Sequence, residues 1–106
     1  MTFKVEYTQR AVRDLSSLST DVQKKIVQET IELETKPFPF KNKIKSIQGI
    51  KFPCYRLRFE SETDSFRIFY GIEKNVIFIL RIVSKKDADK IIKSLKKIEF
   101  PPNIHN

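Results

Sequence analysis

Two arginines alternate with apolar residues at the start of a β-rich stretch, and this spacing is the first sign of a functional site. Tyr55, Leu57 and Phe59 fall on one face of an extended chain, and Arg56 and Arg58 fall on the other. Arginines placed within a strand require solvent, a carboxylate partner or an anionic ligand. The pattern therefore raises an anion-binding strand face as a hypothesis.

Two further β-rich runs follow, at Phe66–Ile72 and Val76–Val83, and each carries one arginine. Short polar breaks separate the three runs, which is typical of an antiparallel meander. We expect the meander to bring Arg67 beside Arg56 and Arg58. We also expect Asn75 to take a left-handed conformation in the tighter of the two turns.

Positive charge is concentrated upstream of these runs. The chain has a formal net charge of +8, and the segment Thr35–Phe59 has seven basic residues and no acidic one. This segment is either a solvated lysine-rich loop or the footprint of a nucleic acid or acidic protein. Because it leads directly into the Arg56 and Arg58 face, we favour the footprint.

The remaining segments predict the elements that position this sheet. An alternating strand at Phe3–Tyr7 precedes a helix capped by Thr8, and Thr20 with Gln23 forms a capping box for a second helix. Ser84 and Asp87 have the same spacing before a last amphipathic helix. We predict an α+β fold: an N-terminal strand and a helical hairpin packed on an antiparallel β-sheet meander, with a C-terminal helix. One domain is expected over residues 1–106, with a C-terminal tail from about residue 99.

The connector after the second helix is Pro37-Phe38-Pro39-Phe40. Its phenylalanines either clamp nucleic-acid bases or close the end of the core. Phenylalanines beside prolines usually pack inward, so we favour the second interpretation.

Several kinds of chemistry are not expected. Cys54 is the single cysteine, which excludes an internal disulfide and fits a reducing compartment, and it is expected to pack as a small apolar residue. His105, the single histidine, lies two residues from the end, where no general base is expected. We expect no metal, no cofactor, no membrane segment and a cytoplasmic location.

The order of elements and three short motifs resemble the RelE/ParE toxin superfamily of type II toxin–antitoxin pairs. The motifs are Tyr55–Arg58, Phe66–Tyr70 and Val83–Asp87, and the resemblance extends from about Phe3 to Lys97. It implies a ribosome-dependent mRNA endonuclease with a cognate antitoxin, in which the 2′-hydroxyl of a ribose attacks the adjacent phosphate.

The resemblance also implies roles for individual residues. Arg56, Arg58 and Arg67 would hold the phosphate and stabilise its added charge, and Lys86 would protonate the leaving oxygen. The surrounding RNA contacts would come from further basic residues: Lys43, Lys45, Lys51, Arg81 and Lys85.

The chain departs from the family pattern in ways that leave alternatives open. Some relatives carry lysines at Arg56 and Arg58, and a tyrosine where Ile91 or Ile92 stands here. The proton acceptor therefore stays open among Tyr55, Tyr70, Glu60 and Lys85. A ParE-like inhibitor of DNA gyrase, or a degenerate toxin that only binds its antitoxin, are the competing interpretations.

Overall fold

The computed structural model describes residues 2–102. His105 and the rest of the segment 103–106 lie outside the described residues. A 3-10 turn at Lys85–Asp87 leads into the last helix. The other elements, in chain order, are β1 (Lys4–Tyr7), α1 (Gln9–Ser16), α2 (Thr20–Glu32), β2 (Ile44–Ser46), β3 (Cys54–Glu60), β4 (Ser65–Glu73), β5 (Val76–Ser84) and α3 (Ala88–Leu95).

The strands form one five-stranded sheet in the order β1-β5-β4-β3-β2. The predicted meander of β3, β4 and β5 is confirmed, because both of its pairings are antiparallel. β1 lies parallel to β5, so the whole sheet is mixed. The short edge strand β2 was not predicted, although Ile44 pairs with Leu57 and is buried.

The two faces of the sheet carry separate cores. On one face, α1 and α2 pack Ala11 and Ile26 against Leu57, Ile68 and Tyr70 of the central strands. On the other face, Leu95 of α3 packs with Phe69, Phe78 and Leu80. The predicted α+β architecture, with a helical hairpin and a last helix flanking the sheet, is confirmed.

The caps agree with the sequence analysis at α1 and differ at α2. Thr8 Oγ1 accepts a hydrogen bond from the backbone N–H of Ala11 at 3.1 Å, as predicted. At α2 the N-cap is Ser19 and not Thr20, and the Gln23 amide donates to the Leu18 carbonyl at 2.8 Å. The capping box at Thr20 was therefore wrong, because the helix begins one residue earlier.

Two smaller expectations also differ. In the β4–β5 turn, Lys74 and not Asn75 takes the left-handed conformation, with φ of 57°. Before α3, the Ser84 hydroxyl donates to the Asp87 carboxylate at 3.1 Å and makes no cap bond to the backbone. Ser84 and Asp87 do interact at the predicted spacing, but their side chains bond to each other and not to the backbone as in a capping box.

The phenylalanines of the proline-rich connector do not close the core. Phe38 is 54% exposed and Phe40 is 60% exposed. Phe38 makes only edge contacts with Phe3 and Tyr55, and Lys41 lies over the Phe40 ring at 5.3 Å. The expectation of inward packing was wrong, because both phenylalanine side chains are more than half exposed, whereas the neighbouring Pro37 is buried.

Phe100, which the sequence analysis assigned to the tail, packs on the α3 face. Its ring stacks on Phe52 at a centroid distance of 4.0 Å and meets Phe78 edge-on at 5.7 Å. Gly71 lies directly beneath, where an added Cβ would fall 2.6 Å from Phe100 Cε2 and 2.8 Å from Phe52 Cε2. Only glycine leaves room for this stack on β4.

We predict that Gly71→Ala displaces the Phe100 ring and lowers the free energy of unfolding by about 1 to 3 kcal/mol, as overpacking does. Urea unfolding measures the loss. Phe100→Ala provides the control, since the two substitutions disturb one contact and their effects should be less than additive. Full additivity would show that Gly71 is not constrained by Phe100.

A candidate anion site on the arginine face of the sheet

Three arginines share the sheet face on which α3 packs. The register of β3 and β4 places Arg58 directly opposite Arg67, and Arg56 opposite Phe69 of the α3 core. Residues paired in this way point to the same face. We call Arg56, Arg58 and Arg67 the arginine cluster. Lys45 of β2 pairs with Arg56, so it extends the positive face to the sheet edge.

Glu60 pairs with two members of the arginine cluster, Arg58 and Arg67. Its Oε1 atom accepts from Arg58 Nε at 2.8 Å and lies 3.4 Å from Arg67 Nη1. The pKa of the Glu60 carboxyl is lowered to about 2. The largest cause is a hydrogen bond with Ser65, and the next is the hydrogen bond with Arg58. The cluster therefore holds a carboxylate that stays ionised at neutral pH.

The arginines differ in how freely their donors can reach a ligand. The Arg67 side chain is only 8% exposed, and its Nη1 also donates to Ser65 Oγ at 3.1 Å and to the Phe66 carbonyl at 3.0 Å. Arg58 is 44% exposed and is bonded to Glu60. Arg58 is thus the accessible donor, and Arg67 is a fixed charge behind it.

The donors of Arg56 are only partly satisfied within residues 2–102. Its Nη2 donates to the Asn42 carbonyl at 3.0 Å, whereas its buried Nε has no hydrogen-bond partner among the described residues. Burial, and then the charges of Arg67 and Arg58, lower the pKa of the Arg56 guanidinium. The charges of Arg67 and Arg58 act on Arg56 because the three cations lie near one another on one face of the sheet.

The lysines predicted to contact RNA differ in whether they already form an ion pair. Lys51, Lys85 and Lys86 are exposed, and within residues 2–102 none of the three forms an ion pair. The 3-10 turn that carries Lys85 and Lys86 directly follows Ser84, which pairs with Phe66 at the start of β4. Lys43 instead pairs with Glu29 of α2 at 2.9 Å, at the far side of β2. The RNA-contacting roles of these lysines remain predictions.

Arg81 is engaged by α1. Its Nε donates to Asp14 Oδ2 at 2.7 Å, and the backbone N–H of Ile82 donates to the same oxygen at 3.0 Å. Pairing between β1 and β5 ends at Tyr7 and Ile79, so the β5 edge beyond that point has no strand partner. The Asp14 carboxylate accepts a hydrogen bond from the backbone at this edge, as a neighbouring strand would, and Arg81 orients that carboxylate.

The geometry narrows the choice of proton acceptor. Tyr55 and Tyr70 stack at 5.5 Å on the hairpin side of the sheet, and the Tyr70 hydroxyl donates to the Pro37 carbonyl at 2.6 Å. Both rings lie on the opposite face from the arginine cluster, so neither can take a proton there. Glu60 is in place, but a carboxyl with a pKa of about 2 is a weak base.

Cys54 contributes no chemistry to this face. It is buried, and burial raises the pKa of its thiol to about 12. A thiol in this state is not a nucleophile at neutral pH. The expectation that Cys54 packs as a small apolar residue agrees with its place in the α3 core.

Sequence reasoning missed the roles of Glu60 and Asp14 as partners of arginines. The signal for Glu60 was present, because it continues the alternation of Arg56 and Arg58 and must share their face. Asp14 offered no such signal, since it is 67 residues away from Arg81 in the chain. Only the packing of α1 against β5 brings the two together.

Comparison with known proteins agrees with this architecture. The family model described as the ParE toxin of the type II toxin–antitoxin system parDE matches residues 5–89. The chain therefore belongs to the ParE toxin family, within the RelE/ParE toxin superfamily, and is a toxin of a type II toxin–antitoxin system. No curated protein sequence matches the chain.

Solved structures of RelE toxins share the fold. A mutant of E. coli toxin RelE in the free state superposes with a TM-score of 0.70 at 16% identity, covering 91% of this chain and 95% of that one. The archaeal RelE–RelB complex from Pyrococcus horikoshii gives 0.65 at 24% identity, covering 80% and 97%. The RelBE2 toxin–antitoxin complex from Mycobacterium tuberculosis gives 0.66 at 20% identity, covering 80% and 100%.

Residues 2–102 contain neither a membrane-spanning helix nor a cluster of metal ligands. No helix in residues 2–102 has the length and apolar character needed to cross a membrane. No group of three or more metal-ligating side chains in that range is arranged to hold a metal ion.

We predict that Arg81→Ala destabilises the fold by about 1 to 3 kcal/mol, because it removes the shorter of the two ion pairs of the poorly exposed Asp14 carboxylate and leaves only the 3.6 Å contact with the exposed Arg10 among the described residues. Urea unfolding measures this cost. Lys45→Ala is the control, and a change within about 0.5 kcal/mol is expected for that exposed residue. Equal stability of both variants would return Arg81 to the set of free RNA-contacting residues.

We predict that the stabilising effect of Glu60 depends on pH. A carboxyl whose pKa is depressed in the folded state stabilises above its unfolded pKa and loses this contribution as the pH falls toward the folded value. The gap in unfolding free energy between the wild type and Glu60→Gln should therefore shrink as the pH falls from above about 4.5 toward about 2. Glu62→Gln, in the adjacent exposed turn, should show no comparable narrowing.

Proposed function

We propose that this toxin is a ribosome-dependent endonuclease of mRNA. The observation that carries the proposal is the arginine cluster: three guanidinium groups on one face of β3 and β4, two of which, Arg58 and Arg67, already hold one carboxylate oxygen of Glu60. A site that already binds one oxyanion has the charge and donor geometry to bind a phosphate. The fold shared with RelE toxins supports the same activity.

In the proposed reaction, the ribose 2′-hydroxyl attacks the neighbouring phosphorus and the bond to the 5′ oxygen breaks. The products are a cyclic phosphate and a 5′-hydroxyl end. Arg58 contacts a non-bridging oxygen, and the neighbouring positive charge of Arg56 helps to stabilise the charge that develops in the transition state. Arg67 supplies positive charge from behind, and Lys86, with Lys85 beside it, donates the proton to the leaving oxygen.

This chain would act mainly by electrostatic stabilisation and positioning. Arginine holds its proton too tightly to be a base, both tyrosines lie on the other face, and Glu60 is a weak base. A proton acceptor of ordinary strength is absent from the cluster among the described residues. Dependence on the ribosome follows naturally, because the ribosome can orient the 2′-hydroxyl and accept its proton.

Inhibition of DNA gyrase without RNA cleavage is the second candidate. The family model that matches residues 5–89 is that of ParE, which favours this alternative. A third outcome is a toxin that has lost both activities and only binds its antitoxin. The arginine cluster favours the nuclease, because its three cations lie on one face of the sheet and two of them, Arg58 and Arg67, already share one anion.

We further propose that the partner is a cognate antitoxin that acts on the toxin in the cytoplasm. RelE toxins are found with RelB in the solved complexes from P. horikoshii and M. tuberculosis. A net charge of +8 calls for a partner that brings carboxylates to the basic surface from Lys41 to Arg58. A groove of about 500 Å³ between α2 and the exposed Phe38 and Phe40 would accept its apolar side chains.

The test is cleavage of mRNA in a purified translation system. The wild type should cut mRNA only when ribosomes are present, and Arg58→Ala should slow cleavage by about 10- to 100-fold, since it removes the accessible oxyanion donor. Arg13→Ala is the matched control, because it removes one exposed positive charge on α1 and should cleave normally. Intact mRNA together with gyrase-dependent DNA breaks would establish the second candidate, and neither activity would establish the third.

A further inference from the structure

Glu60 occupies one donor on each of two arginines that a phosphate would contact. Its Oε1 atom lies 2.8 Å from Arg58 Nε and 3.4 Å from Arg67 Nη1. The accessible arginine of the cluster is therefore already paired in the absence of substrate. A phosphate oxygen approaching Arg58 would meet the Glu60 carboxylate at the same donor, and the two anions repel each other.

The position of Glu60 allows it to leave without unfolding the site. Its side chain is 41% exposed at the end of β3, whereas the Arg67 side chain is 8% exposed and is also held by Ser65 and the Phe66 carbonyl. Rotation of the glutamate toward solvent would free the Arg58 donor and leave Arg67 fixed. The Glu60 carboxylate can therefore be displaced while Arg67 stays in place.

We propose that Glu60 is a built-in competitor for the phosphate, and that it makes the arginine cluster selective for RNA that other contacts already hold in place. This inference rests on the proposed function and names how the same site is regulated. An isolated phosphodiester must displace Glu60 with its own affinity alone. An mRNA positioned on the ribosome presents its phosphate at a high effective concentration and displaces Glu60 readily.

The experiment measures binding to a short single-stranded RNA in which every ribose carries a 2′-O-methyl group, so that no cleavage can occur. Fluorescence anisotropy gives the Kd for the purified full-length chain and its variants at one salt concentration. Glu60→Gln should bind about three- to fivefold more tightly, as expected for removing an exposed competing ion pair.

Two further variants separate competition from simple charge. Glu62→Gln removes the same charge two residues away in the exposed β3–β4 turn, and it reports the general electrostatic gain. It should tighten binding by less than about twofold. Glu60→Asp keeps the net charge but withdraws the carboxylate from Arg67, and it should still bind more tightly than the wild type.

The outcomes discriminate clearly. Equal gains in RNA affinity for Glu60→Gln and Glu62→Gln would overturn the proposal. Weaker binding by Glu60→Gln would also overturn it, because Glu60 would then be orienting the arginines for the ligand. Thermal unfolding of each variant shows that the compared chains are folded. Failure of the wild type to cut mRNA would refute the nuclease function but would leave the binding comparison intact, so the two failures are distinguishable.

Discussion

The β3–β4 ladder places Arg58 and Arg67 directly opposite each other, and the repulsion between these like charges is the constraint on which the site depends. Central strands of a sheet cannot separate without losing both cores that pack on them. The charges must therefore be compensated where they stand. Glu60 does this with a single oxygen shared between the two guanidinium groups, and Ser65 anchors the arrangement at the start of β4.

The rest of the fold holds this pair in register. Leu57 and Ile68, the neighbours of Arg58 and Arg67, lie fully buried beneath α1 and α2 on the opposite face. Because a shift of one residue would exchange the two faces of a strand, hydrophobic burial on the hairpin side determines where the arginines point. The α3 core covers only part of the other face, and the arginine cluster lies on that same face.

The same architecture serves toxins with different targets, so membership of the family identifies the scaffold and leaves the reaction to the site. Here the site is unusual in being occupied by its own carboxylate. A basic surface on a chain of net charge +8 would otherwise attract any polyanion in the cell. An internal counter-charge lowers that general attraction at the candidate site.

Sequence alone determined most of the fold. The period-two runs predicted β3, β4 and β5 nearly to their ends, because alternation reports burial on one face of a strand directly. The same alternation placed Arg56 and Arg58 on one face. The alternation could equally have placed Glu60 beside them, because it is a local pattern in which every second residue of a strand lies on the same face.

Tertiary structure decided what no local pattern contains. The parallel pairing of β1 with β5, the short β2 edge strand and the Asp14–Arg81 pair all join residues far apart in sequence. Phe38 and Phe40 are more than half exposed, whereas the neighbouring Pro37 is buried. Whether an arginine is a free donor or a structural tie is a property of its neighbours in space, and sequence periodicity specifies only which face of the sheet it occupies.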